Sequence, residues 1–390
     1  MVQKVVSFLF SCLVIILIID PADRLFHLKM PIFALILLVW FMSKLNNSIK
    51  YKIDSILMVV GFLIIALIGL FAAIFQNEDI DYAFAIGFFK SLTILFLLFV
   101  VIDLNIEADK FLNKYSILIP LLTIPIYIIS INFPISFAFL YDYLVVEKQV
   151  AMIANRQFYG YDILSVYYKT SAVLVFPLSF YSYNFFIKKK GIKNLILIIL
   201  LFVCLVMSGT RANIISAAII VLYYLYQYFK IKRNALYTII GVISIFSALT
   251  YFILSLSFAE KEESSEIKSG HFTSFIGNIG DNPQYLLWGQ GLGSKSYSTG
   301  TSTFLSQTEL TYFDLVRFFG LPLTCIFIFL VIYPLVYLYQ NQLIFERNKY
   351  AVIAFLTYLF IAGTNPLLIS STGMLILIVM YSFTNKNIYV

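Results

Sequence analysis

Ser208-Gly209-Thr210-Arg211-Ala212-Asn213 is a short polar interruption between two apolar runs, residues 195–207 before it and 214–229 after it. Lys188, Lys189, Lys190 and Lys193 precede the first run, and Lys230, Lys232 and Arg233 close the second. Two membrane-spanning helices fit this pattern. Lys and Arg collect on the cytoplasmic side of membrane proteins, so both basic clusters are expected there and the turn between them on the opposite face. Arg211 is then a guanidinium on the disfavoured side. Either it anchors the helix by snorkelling to lipid headgroups, or it binds a ligand bearing phosphate or carboxylate.

The whole chain supports a membrane reading. It is 61% hydrophobic and 12% charged, with a mean hydropathy of +0.92, well past the roughly half-apolar composition of soluble domains. The expected fold class is an all-α, polytopic integral membrane protein forming a single transmembrane domain over residues 1–390. A net charge of +7 would point to nucleic acid in a soluble protein. Here most of the basic residues flank apolar runs and orient helices, so nucleic acid is discounted. Cys12, Cys204 and Cys325 all fall in apolar stretches, which disfavours a disulfide framework. His27 and His271 have no metal-ligand spacing, so no metal and no cofactor is expected. The first apolar run lacks a clear small-x-small cleavage site and reads as a retained helix.

Runs long enough to cross about 30 Å of hydrocarbon fall at 5–19, 30–42, 56–75, 82–102, 115–133, 171–187, 195–207, 214–229, 235–256, 321–339, 350–362 and 367–383. About twelve spans are expected, with both termini cytoplasmic. This threading leaves Arg24, Lys29, Lys148, Arg156, Lys169, Arg211, Lys261, Lys268, Lys295 and Arg317 on or near the outer side. Most of them gather in two long outer loops and at the Arg211 turn. Lys90 falls within a span. No internal repeat is evident, which disfavours transporter folds built from inverted repeats.

The first long loop, 134–167, keeps many apolar residues and is expected to lie along the membrane surface. Its end, Asn155-Arg156-Gln157-Phe158-Tyr159-Gly160-Tyr161-Asp162, mixes a cation, amides and rings. That mixture suits sugars, and it equally suits an interfacial aromatic belt. Lys169 has the same two readings. The second loop and its closing segment cover 258–320, and residues 258–309 hold seven of the seventeen glycines. Such density predicts turns and close backbone approaches rather than a helical domain. Trp288-Gly289-Gln290-Gly291-Leu292-Gly293-Ser294 fails as a dinucleotide fingerprint, because its spacing is wrong and no strand-turn-helix surrounds it. If 309–322 is helical, Glu309, Tyr312, Phe313 and Arg317 share a broad face at the outer boundary. The alternative for Arg317 is an intrahelical acid–base pair capping the next span.

With these features in view, the chain resembles the O-antigen polymerases (Wzy-type) of the O-antigen ligase/polymerase superfamily. The resemblance rests on Ser208-Gly209-Thr210-Arg211 between two spans, the outer loop with Trp288–Ser294, Glu309 eleven residues before Gly320, and Asn365-Pro366 after Ala362-Gly363-Thr364. It implies a GT-C-like glycosyltransferase architecture in a bacterial inner membrane, with the active site facing the periplasm. The implied substrates are oligosaccharides linked to undecaprenyl pyrophosphate. The implied partners are membrane lipid and a chain-length regulator protein. The implied reaction is metal-independent glycosyl transfer between two lipid-linked repeat units.

The pyrophosphate leaving group develops negative charge that cations must stabilise. Arg211 is the first candidate, then Arg156, then Lys169 and Arg317, with Tyr312 beside them as a binding residue. Glu309 is the candidate general base for the attacking hydroxyl. Ligases of the superfamily commonly carry a histidine where this chain has Glu309, and His271 lies far earlier in the sequence. That favours a polymerase over a ligase delivering polymer to lipid A core. A lipid-linked oligosaccharide flippase ranks third, since Lys90 alone is thin support for a pathway through the spans.

Overall fold

The computed structural model describes residues 2–45, 53–76, 78–158, 161–189, 191–231 and 263–384. The expected run at 235–256 lies outside the described residues, as does Lys261. Each of the other eleven runs falls on helix. Six helices are long and apolar enough to cross a membrane: Val2–Ile19, Ile53–Phe75, Tyr82–Asp103, Ala108–Asn132, Arg211–Lys230 and Thr311–Gln340. Ser171–Ile187, Ile192–Met207 and Ser371–Thr384 are shorter apolar helices. Lys29–Lys44 and Gln342–Ala362 lie among them. The protein is a predominantly helical, multi-pass membrane type of chain.

Helix placement follows from which faces are apolar. Every residue of Ser371–Thr384 is buried, as expected of a helix that is hydrophobic all round. Ile53–Phe75 is two-faced: Met58, Phe62, Ile65 and Ala73 are buried, whereas Leu57, Ile64, Phe71 and Phe75 are exposed. Outward-facing apolar side chains at this spacing suit lipid, and the inner face packs through rings. Phe62 meets Phe327 edge-on with centroids 4.7 Å apart, and Phe319 stacks on Phe327 at 6.0 Å.

Polar contacts gather alternate chain ends at opposite poles of the bundle. At one pole, Thr170 Oγ1 donates to the Ile18 carbonyl, Thr311 Oγ1 to the Asn365 carbonyl (both 2.7 Å), and Gln76 Nε2 to the Gly289 carbonyl at 2.9 Å. At the other, Lys44 pairs with Asp103 at 2.8 Å and Tyr350 Oη donates to Asp109 at 2.6 Å. The Arg211 turn lies against the second loop, Arg211 Nη1 being 3.4 Å from Ser265 Oγ.

The two long loops differ from the sequence reading in three ways. The segment 134–167 holds a short helix, Pro134–Tyr141, a π-helical stretch, Asp142–Glu147, and most of an antiparallel hairpin, Ala151–Phe158 with Tyr161–Tyr168. Ile153 faces Val166 across the hairpin, both buried, and this apolar pair sets the register. The second loop carries a helix, Glu263–Asp281, where the glycines predict turns. Gly270 sits inside that helix, and a Cβ there would lie 2.3 Å from the Gly300 Cα. Its small size serves the approach of a second hairpin, Ser296–Ser298 with Thr303–Leu305. Glycine here marks a crossing of backbones within a helical segment.

The third difference concerns Glu309. The closing helix starts at Thr311, because Leu310 is non-helical (φ −94°, ψ 74°) and Asp314 reaches back to the Thr308 backbone N–H (2.6 Å) and hydroxyl (3.1 Å). That reach-back is a form of N-terminal capping. Glu309 therefore precedes the helix and does not share a face with Tyr312. Gly320, at φ 70°, breaks the helix within Thr311–Gln340, and the span expected at 321–339 begins after it.

Candidate functional site

Arg211 is the first residue of its helix, set by the turn before it. Ile192–Met207 ends with Gly209 in the left-handed region (φ 64°), its N–H bonded to the Val206 carbonyl at 3.0 Å. A left-handed glycine is a common way to end a helix. Buried Ser208 donates to the Leu205 carbonyl and accepts from Asn213 Nδ2 at 2.9 Å. The turn is thus internally braced, and it directs the Arg211 side chain toward the second loop. There Arg211 Nη1 lies 3.4 Å from Ser265 Oγ on the Glu263–Asp281 helix.

One turn further along the same helix, Lys268 pairs with Glu309, Nζ to Oε2, at 3.4 Å. Ser265 and Lys268 are spaced i, i+3, which makes them neighbours on one helix face. Arg211 and Glu309 come from distant parts of the chain, and each contacts this loop helix, one turn apart. The side chains of Lys268 and Glu309 are 32% and 47% exposed. An ion pair of that exposure contributes about 0–1 kcal/mol, so it exchanges partners at little cost. Along this helix lie two cations and a carboxylate: Arg211 half-buried, Lys268 and Glu309 partly open to solvent.

The loop helix is itself fastened. His271 Nδ1 lies 2.5 Å from Ser298 Oγ, Ser274 Oγ 3.0 Å from Thr299 Oγ1, and Thr299 Oγ1 donates to the Gly270 carbonyl at 3.0 Å. Beneath the helix is a cavity of about 20 Å³ lined by His271, Ser298, Thr308, Asp314 and Arg317 among others, room for about one water. Burial holds the His271 imidazole below the ordinary histidine range, outweighing the attraction of Glu309 and Asp314. The charge of Glu309 thus reaches His271 although the two are far apart in sequence. His271 is nonetheless 5% exposed and bonded to Ser298, a position that braces the loop.

The remaining candidates fall elsewhere. Arg317, expected to face pyrophosphate, is buried and engaged: Nη1 donates to the Ser294 carbonyl (2.8 Å), Nη2 to the Ser306 carbonyl (2.6 Å), and Asp314 Oδ1 accepts from Nε and Nη2 at 3.3 and 3.2 Å. Its charge is used to tie loop to helix. Tyr312 donates its hydroxyl to the Leu359 carbonyl at 2.7 Å, locking two helices together. Lys169 follows the first hairpin, its backbone N–H on the Val150 carbonyl at 3.0 Å. Its ammonium is depressed by burial and by Arg24 nearby, and Arg24 in turn bonds Gln149. Arg156 stands on the first strand, paired in register with Ile163; its side chain lies outside the described residues.

Lys268 and Ser265 are the site residues that sequence reading missed. Lys268 is expected only as one outer-side cation among ten, and nothing in the linear pattern ties it to Arg211. The glycine-rich stretch 289–293 also gains a structural role. Gly291, at φ 109°, packs on Ala73, where a Cβ would lie 2.3 Å from the Ala73 nitrogen. The Leu292 N–H bonds the Gly69 carbonyl at 2.8 Å, and the Asp81 N–H bonds the Gly293 carbonyl at 2.8 Å. Tyr285 donates to Glu78 at 2.5 Å, and burial with that carboxylate pushes its phenol up to about 12. The stretch sews the loop onto the bundle.

No family model, no curated protein and no solved structure matches this chain.

Proposed function

We propose that the protein is a surface-polysaccharide polymerase of the O-antigen type, joining oligosaccharide repeat units carried on undecaprenyl pyrophosphate. The observation that supports this reading is that one loop helix carries both the contact of Ser265 with Arg211 and, a turn further on, the pairing of Lys268 with Glu309. An acid–base group beside cations at a membrane boundary is what transfer from a lipid pyrophosphate requires.

In this reading a hydroxyl oxygen of the acceptor sugar forms the new bond to the anomeric carbon of the donor. The bond from that carbon to pyrophosphate breaks, and its electron pair leaves with the phosphate oxygen. Arg211 stabilises the charge that develops there, its planar fork matching two phosphate oxygens. Glu309 accepts the hydroxyl proton. The polyprenyl chain runs along the lipid-facing helices, and Arg156 on the hairpin and Lys169 just after it border the sugar path. About twelve spans, cytoplasmic termini, a bacterial inner-membrane location with the site facing the periplasm, and a chain-length regulator as partner belong to the same proposal.

The surface-glycan profile of a strain lacking the gene, run beside its complemented parent, tests the reading. The expected result is core carrying one repeat and no ladder, with lipid-linked single repeats accumulating. Long polymer left on the lipid carrier with none on core would mean a ligase. Absence of any repeat outside the membrane, with lipid-linked repeats retained inside, would mean a flippase.

A further inference from the structure

We infer that Lys268 is a second pyrophosphate-binding cation, parked on Glu309 until the anion enters between it and Arg211. The inference rests on the polymerase reading for the identity of the anion, a pyrophosphate ester. Its geometry stands on four observations.

Lys268 lies one turn from Ser265, the residue that Arg211 Nη1 approaches, so the ammonium and the guanidinium flank one short stretch of helix. Its separation from Glu309, at 3.4 Å, is longer than the 2.7–2.9 Å typical of a charge-assisted bond between ammonium and carboxylate. The pair is partly open to solvent, in contrast to the buried Arg317–Asp314 pair, whose side chains are 5% and 3% exposed. Finally, the backbone on both sides of Lys268 is held: a Cβ at Gly300 would lie 2.1 Å from the Ile267 carbonyl oxygen, and His271 is tied to Ser298. The main chain is fixed while the side chain retains a weak partner.

A lysine suits this role, being a compact charge on a flexible stem whose three donors reorient without a planar constraint. Pyrophosphate carries more charge than one carboxylate and takes Lys268 from Glu309. The carboxylate is then released beside the leaving group, free to receive the acceptor hydroxyl's proton. Substrate binding and the unmasking of the base become one event.

Binding of sugar-free polyprenyl pyrophosphate to the full-length protein in lipid nanodiscs tests the assignment. Wild type, Lys268→Met, Lys268→Arg and Arg211→Ala are compared, with monodispersity on gel filtration as the folding control. Removal of one charge-assisted bond predicts binding weaker by about tenfold in Lys268→Met, with Lys268→Arg within about threefold of wild type. Unchanged binding in Lys268→Met, alongside weakened binding in Arg211→Ala, would overturn it, as would a wild type that binds no polyprenyl pyrophosphate. Sugar transfer is scored separately on a sugar-bearing donor. A wild type that binds with the predicted Lys268 dependence but makes no polymer would remove the polymerase reading and leave the cation assignment standing.

Discussion

Gly270 and Gly300 approach so closely that neither tolerates a methyl group: a Cβ on the first would lie 2.3 Å from the Cα of the second. This crossing sits two residues from Lys268 and joins the loop helix to the Ser296–Leu305 hairpin. Gly300→Ala is expected to push the helix off the hairpin, at about 1–3 kcal/mol of overpacking cost. Gly277 is exposed on the same helix with nothing within 4 Å of its Cβ direction. Gly277→Ala should stabilise the helix by about 0.5–1 kcal/mol. Hydrogen exchange over 263–281 reads both, rising in the first variant and falling in the second.

Asp314 and Arg317 form a buried pair that also supplies donors to two loop carbonyls. Asp314→Ala strands a guanidinium out of solvent, an expected loss of about 3–5 kcal/mol. The expected phenotype is early thermal unfolding of the outer loop, seen as exchange across 283–310, with the long helices still protected. Arg317→Lys should rescue poorly, because lysine lacks the fork that reaches Ser294, Ser306 and Asp314 together. Loss of activity in either variant reports on folding.

The depressed His271 imidazole gives the loop a pH dependence with a defined sign. Its folded value lies below the ordinary 6.5, so the unfolded loop binds the proton more readily. Stability is full above about pH 6.5 and falls as the pH drops from there toward the folded value, with a slope of at most about 1.4 kcal/mol per pH unit. Protection factors over 263–305, which divide out the intrinsic pH dependence of exchange, should therefore fall between pH 7.5 and 5.5. In His271→Gln that fall should flatten.

The helices were legible because a long apolar run in this composition has one stable arrangement. The second-loop helix was not legible. Its glycines argue against helix locally, and a tertiary crossing at Gly270 outweighs that preference. The first hairpin carried a signal on one side only, Tyr161, Ile163, Val166, Tyr167 and Tyr168, whereas Ala151–Phe158 holds just Ile153 and Phe158 of that kind, and the interfacial-belt reading absorbed it. Arg317 and Arg211 look alike in sequence as outer arginines. Their difference lies in surroundings: Arg317 has an aspartate one turn away and two carbonyls folded over it. Lys268 became a site residue through three-dimensional proximity to Glu309, a relation that sequence separation hides.

Arg211→Lys tests the need for a planar fork. Lysine keeps the charge but cannot grip two phosphate oxygens at once, so polymer yield should fall by about tenfold or more. The check is the length distribution of polymer in a complemented deletion strain. A wild-type distribution would mean that Arg211 acts as an interfacial anchor.

The central claim is that Arg211 and Glu309 act on one reaction, and reconstitution tests it most directly. The purified protein in liposomes, given a single-repeat oligosaccharide on undecaprenyl pyrophosphate, is predicted to yield a ladder of multiples with release of undecaprenyl pyrophosphate. Glu309→Gln, which frees Lys268 of its competitor, should bind the donor at least as tightly as wild type and yield no ladder. A full ladder from Glu309→Gln, or no product from wild type that binds the donor, would contradict the account.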